Sequence, residues 1–302
     1  MELNNLLQQN EILFSNDNSG IKEITANIKL KPNARPVYQK SRPVPYSMML
    51  KVEKAYDKLV DADILYPVTN SHWASPTVHV PKGDGSVRVC GDYKAVNQVI
   101  ESDGYKLPNI SEMFAKITHN GMKPKVYSVL DLSGAFNQLF LDEKSAELLT
   151  LNTCKGLMGT KRLCYGVKTA PAQFQAAMDK ILAGIEGVYC YIDDILIVSN
   201  TVEEHLKILK LVFERFRKYN VKLNGTKCKF FQKEVQYLGH QVCAEGIRPL
   251  QNKVEAIQRA PQPRDVSELK SFLGMINFYG KFIPNLSAQL YPLHVVVMEF
   301  RV

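Results

Sequence analysis

The sequence contains no apolar run near the roughly 20 residues that a helix needs to cross a bilayer. Its opening residues, MELNNLLQQNEILF, have neither the basic stretch nor the apolar core of a signal peptide. Internal repeats and low-complexity segments are also missing. These absences predict an intracellular, cytoplasmic protein that has no membrane partner.

Cysteine pairs at metal-binding spacing are absent too. The chain has 6 cysteines, none of them in a C-x-x-C motif and none at zinc-finger spacing from a histidine. This pattern disfavours a zinc site or a disulfide framework and predicts free, buried thiols. The six are Cys90, Cys154, Cys164, Cys190, Cys228 and Cys243.

Positive charge is concentrated in the C-terminal third of the 302 residues. Residues 201–302 contain 16 Lys and Arg against 9 Asp and Glu, a net charge of +7, whereas residues 1–200 contain 22 against 21, a net charge of +1. Such an asymmetry indicates that a polyanion such as nucleic acid binds the C-terminal part. A basic surface that is simply solvated is the alternative interpretation.

Apolar periodicity, turn residues and helix caps predict a mixture of helices and strands, the α+β class. Predicted helices cover residues 47–62 and 170–183, a segment opened by Thr201-x-x-Glu204, and much of 248–283, opened by Asp265-x-x-Glu268. Predicted strands form a hairpin over 76–90 around Gly83-Asp84-Gly85, a single strand at 126–132, and a hairpin over 187–200 around Asp193-Asp194. Residues 1–44 are polar, carry prolines near their end, and predict an extended lead-in.

Three aspartates at the ends of predicted strands are candidate metal ligands. Asp193 and Asp194 lie between two strongly apolar strands, where adjacent negative charges are costly unless a cation neutralises them. A solvated turn is the ordinary alternative, because Asp is common in turns. Asp131 also ends an apolar strand, and carboxylates from neighbouring strands could together hold two divalent ions that promote phosphoryl transfer. Mg²⁺ is the natural ion for such ligands.

Several sequence blocks resemble one family, the reverse transcriptases of gypsy-type long-terminal-repeat retrotransposon Pol polyproteins. Y-I-D-D at 191–194 resembles the Y-x-D-D signature, and V-L-D-L-S-G-A-F-N-Q at 129–138 resembles the first aspartate motif. The blocks at 73–97 and 105–110 resemble the fingers, and the block at 162–175 resembles the segment before the active-site hairpin. Y-L-G-H at 237–240 resembles the primer grip, and 267–284 resembles the thumb.

This resemblance implies a right-hand polymerase fold with fingers, a palm built on an antiparallel sheet, and a helical partial thumb. We expect the lead-in over 1–44, the fingers over 45–125, the palm over 126–244 and a truncated thumb over 245–302. Residues 142–160 are expected to return to the fingers. The implied activity is RNA-directed DNA polymerisation by an isolated piece of a polyprotein, with virus-like particles as one setting.

The resemblance also implies roles for individual residues. Asp131, Asp193 and Asp194 would be catalytic and, with the Leu132 carbonyl, would hold two Mg²⁺ ions, with Mn²⁺ as a substitute. Residues expected to bind the deoxynucleoside triphosphate are Lys82, Arg88, Gly134, Ala135, Phe136, Tyr165 and Gly166. The primer end would be held by Tyr237, Leu238, Gly239 and His240, and duplex backbone by Lys222, Lys227, Lys229 and Lys233. The partners would be an RNA or DNA template with its annealed primer.

Alternatives remain open at this stage. Phe136 would act as a sugar gate against ribonucleotides, although an ordinary core aromatic would produce the same pattern. Cys164 and Tyr165 stand where the family usually has Pro and Phe, which is compatible with a truncated, non-catalytic relic that only binds nucleic acid. An RNA-templated RNA polymerase is a third hypothesis, which the gate and the retrotransposon-like blocks disfavour.

Overall fold

The computed structural model describes residues 2–15, 17, 19–119 and 124–299. Within these residues the protein combines helices and strands, which confirms the predicted α+β class. The helices are α1 (Glu2–Gln9), α2 (Met49–Asp61), α3 (Lys94–Val99), α4 (Ile110–His119), α5 (Glu143–Leu148), α6 (Ala170–Leu182), α7 (Val202–Tyr219), α8 (Gln251–Gln258), α9 (Val266–Phe278) and α10 (Leu286–Glu299). Short 3₁₀ turns lie at Glu11–Phe14, Tyr46–Met48, Ala135–Gln138 and Gly280–Phe282.

The strands form four sheets of two, three, four and five strands. They are β1 (Thr25–Ala26), β2 (Leu65–Pro67), β3 (Ser75–Pro81), β4 (Val87–Gly91), β5 (Val126–Asp131), β6 (Phe140–Leu141), β7 (Leu151–Thr153), β8 (Gly156–Thr160), β9 (Val188–Tyr191), β10 (Asp194–Ser199), β11 (Lys229–Gln232), β12 (Glu234–Tyr237), β13 (His240–Cys243) and β14 (Gly246–Pro249). None of the described helices is both long and apolar enough to span a membrane.

The four-stranded sheet has the order β11-β5-β10-β9 and is antiparallel. Because side chains alternate along a strand, its two faces enter two different cores. Ile195 and Ile197 pack in the larger core with α6 and α7, whereas Leu196 and Val198 pack in a smaller core with α4 and β12. The sheet is therefore covered on both faces. This packing on both sides holds the ends of β5 and β10, which carry Asp131 and Asp194.

The five-stranded sheet has the order β2-β8-β7-β3-β4 and joins two distant parts of the chain. Residues 65–91 supply three strands and residues 151–160 supply the other two, with β3 and β7 parallel. The β3–β4 hairpin turns at Lys82–Ser86, where Lys82 N donates to Ser86 O at 2.8 Å. The predicted hairpin over 76–90 is therefore present, and it projects the exposed side chains of Lys82 and Arg88.

The C-terminal part consists of the β12-β13-β14 sheet followed by α8, α9 and α10. The cap bonds of the two predicted capping boxes are confirmed: the side chain of Thr201 accepts a hydrogen bond from Glu204 N, and that of Asp265 accepts one from Glu268 N. Thr169, also predicted to cap a helix, precedes α6 without a side-chain cap bond. The last three helices contain few buried side chains, namely Leu273 on α9 and Leu290 on α10. These three helices therefore depend less on apolar packing than the two larger sheets do.

Two predictions about the N-terminal half are wrong. Residues 2–14 are not an extended lead-in but α1 and a 3₁₀ turn, because Leu6 and Leu13 are buried in the main core. The helix predicted to start after Ser47 instead starts at Met49 from a 3₁₀ turn, without a side-chain cap. Helix α4, which precedes the predicted limit at residue 125, packs on the four-stranded sheet through Met113 and Ile117.

Candidate functional site

The site begins with the cross-strand pair of Asp131 and Asp194. Strands β5 and β10 pair in antiparallel register so that the Cα of Asp194 is opposite that of Asp131. Strands β9 and β10 pair Tyr191 with Asp194, which leaves Ile192 and Asp193 as a two-residue turn. All three predicted catalytic carboxylates therefore lie at one end of the four-stranded sheet, although more than 60 residues separate Asp131 from the other two in sequence.

The turn that carries Asp193 adopts an unfavourable backbone conformation. Ile192 has φ +57°, a region that β-branched residues rarely occupy. Gln175 on α6 holds this turn from inside the core: its Oε1 accepts a hydrogen bond from Ile192 N at 2.6 Å, and its Nε2 donates to Cys190 O at 3.0 Å. The side chain of Gln175 is fully buried, so the strained turn is fixed by a rigid partner.

The three carboxylates repel one another. Burial, and then the charges of Asp193 and Asp131, raise the pKa of Asp194 above its usual range, while Lys227 acts in the opposite direction. A lysine ammonium group also approaches the cluster, with Lys227 Nζ 3.5 Å from Asp131 Oδ2. The site thus favours a proton or a cation, which is the electrostatic condition for binding divalent metal ions.

The side chains have not closed around a metal position. No group of three or more His, Cys, Asp or Glu side chains in the described ranges has the geometry to hold a metal ion as it stands. Asp131 and Asp194 are on adjacent strands and Asp193 is in the connecting turn, so all three carboxylates belong to the same end of the sheet. The donor chemistry is suitable because hard divalent cations prefer carboxylate and carbonyl oxygens.

A cavity of about 860 Å³ opens over these carboxylates. It brings together residues from the fold's two larger sheets, and its walls include most of the residues predicted to bind metal or nucleotide. These are Lys82, Arg88, Asp131, Leu132, Gly134, Tyr165 and Asp193. The predicted phosphate-binding cations therefore share one cavity with two of the three predicted catalytic aspartates.

Three aromatic side chains pack in and beneath the wall of the cavity. Tyr165 lies in the cavity wall, and its ring centroid is 4.7 Å from that of Phe136, which packs in turn against Phe174 at 5.4 Å. Phe136 is 9% exposed and Ala135 is 2% exposed, so neighbouring residues cover both side chains. Burial and the charge of Asp193 raise the pKa of the Tyr165 phenol above its ordinary value.

Glycines shape the backbone beside this cavity. Gly134 has φ +60° and ends β5 in a left-handed turn, which only glycine adopts at little cost. Gly166, the last predicted nucleotide-binding residue, is exposed, and its carbonyl accepts a hydrogen bond from Asn97 Nδ2 at 2.8 Å. Because Gly134 has no side chain, the space beside its backbone is open.

The four residues predicted to hold a primer form the β12–β13 turn. Tyr237 and His240 are each 2% exposed, and only Leu238 and Gly239 at the tip reach the surface. Tyr237 Oη donates to Asp194 O at 3.3 Å or Tyr189 O at 3.2 Å. The buried Tyr237 side chain therefore supports the β9–β10 hairpin, the aspartate hairpin, which carries Asp193 and Asp194. Contact of the β12–β13 turn with a primer stays a prediction.

Some residues of the site were not identified from the sequence. Gln175 carries no local signal beyond a polar side chain on a mostly apolar helix, because its role depends on a contact with a turn 17 residues away. Lys51, Lys54 and Lys58 on α2 also line the cavity, and their spacing on one helical face was the available signal. Of the four lysines predicted to meet a duplex, Lys222 is 3% exposed and donates to Ile12 O, so burial removes it from that surface.

Comparison with known proteins agrees with this geometry. The sequence profile described as "Reverse transcriptase (RNA-dependent DNA polymerase)" matches residues 80–242. The chain is 36% identical over 300 residues to the retrovirus-related Pol polyprotein from transposon opus of Drosophila melanogaster, which covers 96% of this chain and 29% of that protein. It is 38% identical over 261 residues to the uncharacterized protein K02A2.6 of Caenorhabditis elegans, covering 85% of this chain and 20% of that protein. The chain thus spans less than a third of the length of these relatives.

Solved structures show the same fold. The foamy viral protease-reverse transcriptase dRH in complex with double-stranded DNA superposes with a TM-score of 0.86 at 28% identity, covering 98% of this chain and 52% of that one. The foamy viral protease-reverse transcriptase in complex with an RNA/DNA hybrid gives a TM-score of 0.83 at 27% identity, covering 98% and 40%. These matches confirm the predicted right-hand polymerase fold. The chain is a member of the reverse transcriptase family.

Proposed function

We propose that this chain is the polymerase core of an RNA-directed DNA polymerase, which adds deoxynucleotides to the 3′ end of a primer annealed to an RNA or DNA template. The observation that carries the proposal is the register of β5 with β10, which places Asp131 opposite Asp194 with Asp193 in the adjoining turn. The cavity over these residues also contains Lys82 and Arg88, cations suited to phosphate oxygens.

Reverse transcriptases generally use divalent metal ions. We assign their binding here to Asp131, Asp193, Asp194 and the Leu132 carbonyl, with two Mg²⁺ ions as the cofactor and Mn²⁺ as a substitute. When bound, such ions supply positive charge that acidifies the primer 3′-hydroxyl and neutralises the triphosphate and the leaving pyrophosphate. The raised pKa of Asp194 supports this assignment, because it reflects burial and then the negative charges of Asp193 and Asp131, which a bound cation would offset.

The chain's own residues would position the incoming deoxynucleotide. Lys82 and Arg88 on the β3–β4 hairpin would hold the triphosphate, with the backbone of Gly134 and Ala135 beside it. Tyr165 and Gly166 would line the sugar and base side. Phe136 would restrict the sugar pocket through the ring of Tyr165 that rests on it, since their centroids are 4.7 Å apart.

The primer end would meet the exposed β12–β13 turn at Leu238 and Gly239, with Tyr237 and His240 fixing that turn from the interior.

The sheets also support approximate subdomain limits. The fingers would comprise 45–109 and 142–160, because segments 65–91 and 151–160 share one sheet. The palm would comprise the remainder from 110 to 244, and the helical thumb would follow from 245.

Primer extension on an RNA template with labelled deoxynucleotides, in Mg²⁺ and separately in Mn²⁺, tests this proposal. We expect extension by the wild-type chain and its loss in Asp193→Asn, while affinity for the primer–template is retained. Asp61→Asn is the matched control, because Asp61 is an exposed aspartate at the end of α2.

Three results would contradict the proposal. Binding of the primer–template without incorporation in either metal would support the non-catalytic relic. Undiminished extension by Asp193→Asn would show that these carboxylates are not the catalytic centre. Preferential use of ribonucleotides would favour an RNA polymerase.

A further inference from the structure

A row of three lysines on α2 faces the same cavity as the aspartates. Lys51, Lys54 and Lys58 are exposed, follow i, i+3, i+7 spacing, and all line the cavity wall. On the other side of α2, Val52 and Tyr56 are fully buried, which fixes the rotation of the helix about its axis. We refer to Lys51, Lys54 and Lys58 as the lysine row.

The lysine row places like charges together on one helical face. Charges of one sign three or four residues apart on such a face repel each other. The helix dipole disfavours positive charge at Lys51, in the first turn of α2, and favours it at Lys58, in the last turn, so the dipole does not offset this repulsion along the whole row. None of the three ammonium groups forms an ion pair with another described residue, and the nearby acid Asp57 pairs with Lys155 instead. An anionic ligand in the cavity would offset this repulsion.

The position of the row indicates which anion this is. Its three charges extend over about 10 Å along the helix, at about 1.5 Å per residue. Lys82 and Arg88 are already assigned to the incoming triphosphate, so the row adds cationic charge beyond that site within the same cavity. In the proposed reaction the primer 3′-hydroxyl loses its proton to solvent water, and its oxygen forms a bond to the α-phosphorus. The bond from that phosphorus to the bridging oxygen breaks, and the β- and γ-phosphates leave together as pyrophosphate.

We propose that the lysine row is a second polyphosphate subsite, which receives inorganic pyrophosphate as it leaves the aspartate cluster. The identity of the anion rests on the proposed function, whereas the existence of the subsite rests on the cavity and the charges. Lysine suits this task, because a flexible point charge can follow a departing anion without fixed bidentate geometry. An unpaired template strand is the main competing occupant, and the test separates the two.

The first measurement is calorimetric titration of inorganic pyrophosphate into the full chain, without nucleic acid and with EDTA present. No divalent ion takes part, so the result does not depend on polymerase activity. We expect replacement of the whole row by glutamine to weaken binding about tenfold or more, since charged phosphate contacts are strong. The matched control replaces Lys207, Lys210 and Lys218, three exposed lysines on α7, by glutamine. It should change binding by less than about twofold.

Equal weakening by both triple variants would show non-specific attraction and overturn the subsite, as would the absence of pyrophosphate binding to the wild-type chain. Replacement of the row by arginine should restore most of the affinity, because the charge is retained. Thermal unfolding of each variant shows whether it is folded.

Enzyme kinetics provide the second measurement. In primer extension, loss of the row should raise the inhibition constant for pyrophosphate about fivefold or more and change KM for deoxynucleotide less than about twofold. An equal rise in KM would assign the row to the triphosphate site itself and overturn the proposal. A loss of affinity only for primer–templates with a long unpaired template strand, with pyrophosphate inhibition unchanged, would make the template the occupant and also overturn it.

Discussion

Lys227 Nζ lies 3.5 Å from a carboxylate oxygen of Asp131, in the wall of the cavity that also contains Asp193. The side chain of Lys227 is 65% exposed, whereas that of Asp131, at the end of β5, is only 28% exposed. The lysine therefore supplies positive charge next to the carboxylate of Asp131. Metal binding as proposed above would compete with this ion pair for the same carboxylate.

This competition predicts that Lys227→Gln binds Mn²⁺ more tightly than the wild-type chain does. An exposed ion pair contributes about 0.2–1 kcal/mol, so the gain in affinity should be at most about fivefold. Electron paramagnetic resonance of free Mn²⁺, titrated with the nucleic-acid-free protein, measures it. Lys233→Gln is the control, because Lys233 is exposed and lies outside the cavity wall. Weaker binding by Lys227→Gln would show that the lysine supports the metal site rather than opposing it.

Asp194 gives a prediction about stability. Burial and the neighbouring carboxylates raise its pKa in the folded protein, so ionisation of this group opposes folding. The penalty is absent at a pH below the ordinary aspartate value, grows as the pH rises through the raised value, and is complete at neutral pH. Asp194→Asn should therefore raise Tm at pH 7 in EDTA by roughly 2–3 °C, and the gain should vanish in strong acid.

Thermal unfolding of Asp194→Asn between pH 3 and pH 8 measures this effect. Added Mn²⁺ should stabilise the wild-type chain more than the variant, because the variant has lost a carboxylate ligand. Asp61→Asn should change Tm little at any pH. A variant less stable than the wild-type chain at pH 7 would refute the idea that repulsion at this cluster costs stability.

The sequence was sufficient to predict the strands that carry the aspartates. Val126–Asp131 and the hairpin over 188–199 are continuous apolar segments bounded by turn residues, and the local pattern identifies both. Two capping boxes, at Thr201 and at Asp265, also depend only on neighbouring residues. Local signals of this kind do not require knowledge of tertiary contacts, so these elements were predicted correctly.

The remaining features depend on contacts between distant residues. Residues 2–14 look polar in sequence, yet Leu6 and Leu13 are buried, and Leu223 N donates to Leu13 O at 2.7 Å. The inward orientation of Tyr237 follows from packing against the aspartate hairpin, which no local pattern encodes. The contact between Lys227 and Asp131 spans 96 positions and was also invisible in sequence.

A buried histidine connects the aspartate strands to α7. His205 Nε2 lies 2.7 Å from Ser128 Oγ on β5, and Nδ1 lies 2.8 Å from Ser199 Oγ on β10. Ser199 Oγ also donates to Thr201 O, and Phe231 N donates to Ser128 Oγ. These bonds are consistent with a neutral ring that donates from Nδ1 and accepts at Nε2.

Protonation of this ring should destabilise the fold. Burial lowers the pKa of His205 to about 4, below the ordinary value of 6.5 for an unfolded chain. Stability from this group is therefore complete above pH 6.5 and is lost as the pH falls toward 4. Urea unfolding across this range should show a slope to which His205 contributes up to one proton, in addition to His79 and His240, whose pKa values burial also lowers. His205→Gln should reduce that slope by up to one proton, and His72→Gln, at an exposed site, should leave it unchanged.

Gln175 should control the rate of chemistry more than the binding of substrate. Gln175→Leu leaves Ile192 N and Cys190 O without their buried partner, which should cost about 1–3 kcal/mol of folding free energy. The released turn would displace Asp193, so kcat should fall about tenfold or more with little change in primer–template affinity. Gln258→Leu, on α8 outside the site, is the control. Unchanged kcat in a folded Gln175→Leu protein would show that the turn keeps its conformation without this side chain.

The contact between Phe136 and Tyr165 predicts how the sugar pocket discriminates. Because Phe136 is 9% exposed and packs against the ring of Tyr165, the two rings would restrict the proposed sugar pocket together. Phe136→Ala should increase the ratio of ribonucleotide to deoxynucleotide kcat/KM about tenfold or more, since a lost steric clash of about 1.4 kcal/mol is worth a factor of ten. Tyr165→Ala should relax the same ratio, because the ring that lies in the cavity wall is removed.

Tyr165→Phe separates the ring from its hydroxyl. If packing on Phe136 determines the pocket, the variant should keep wild-type discrimination, whereas Tyr165→Ala should not. Single-nucleotide incorporation with matched ribo- and deoxynucleotides measures all three variants. Relaxed discrimination in Tyr165→Phe would mean that the hydroxyl, whose pKa burial raises, contacts the sugar directly. Unchanged discrimination in Phe136→Ala would make that ring a core aromatic without a gating role.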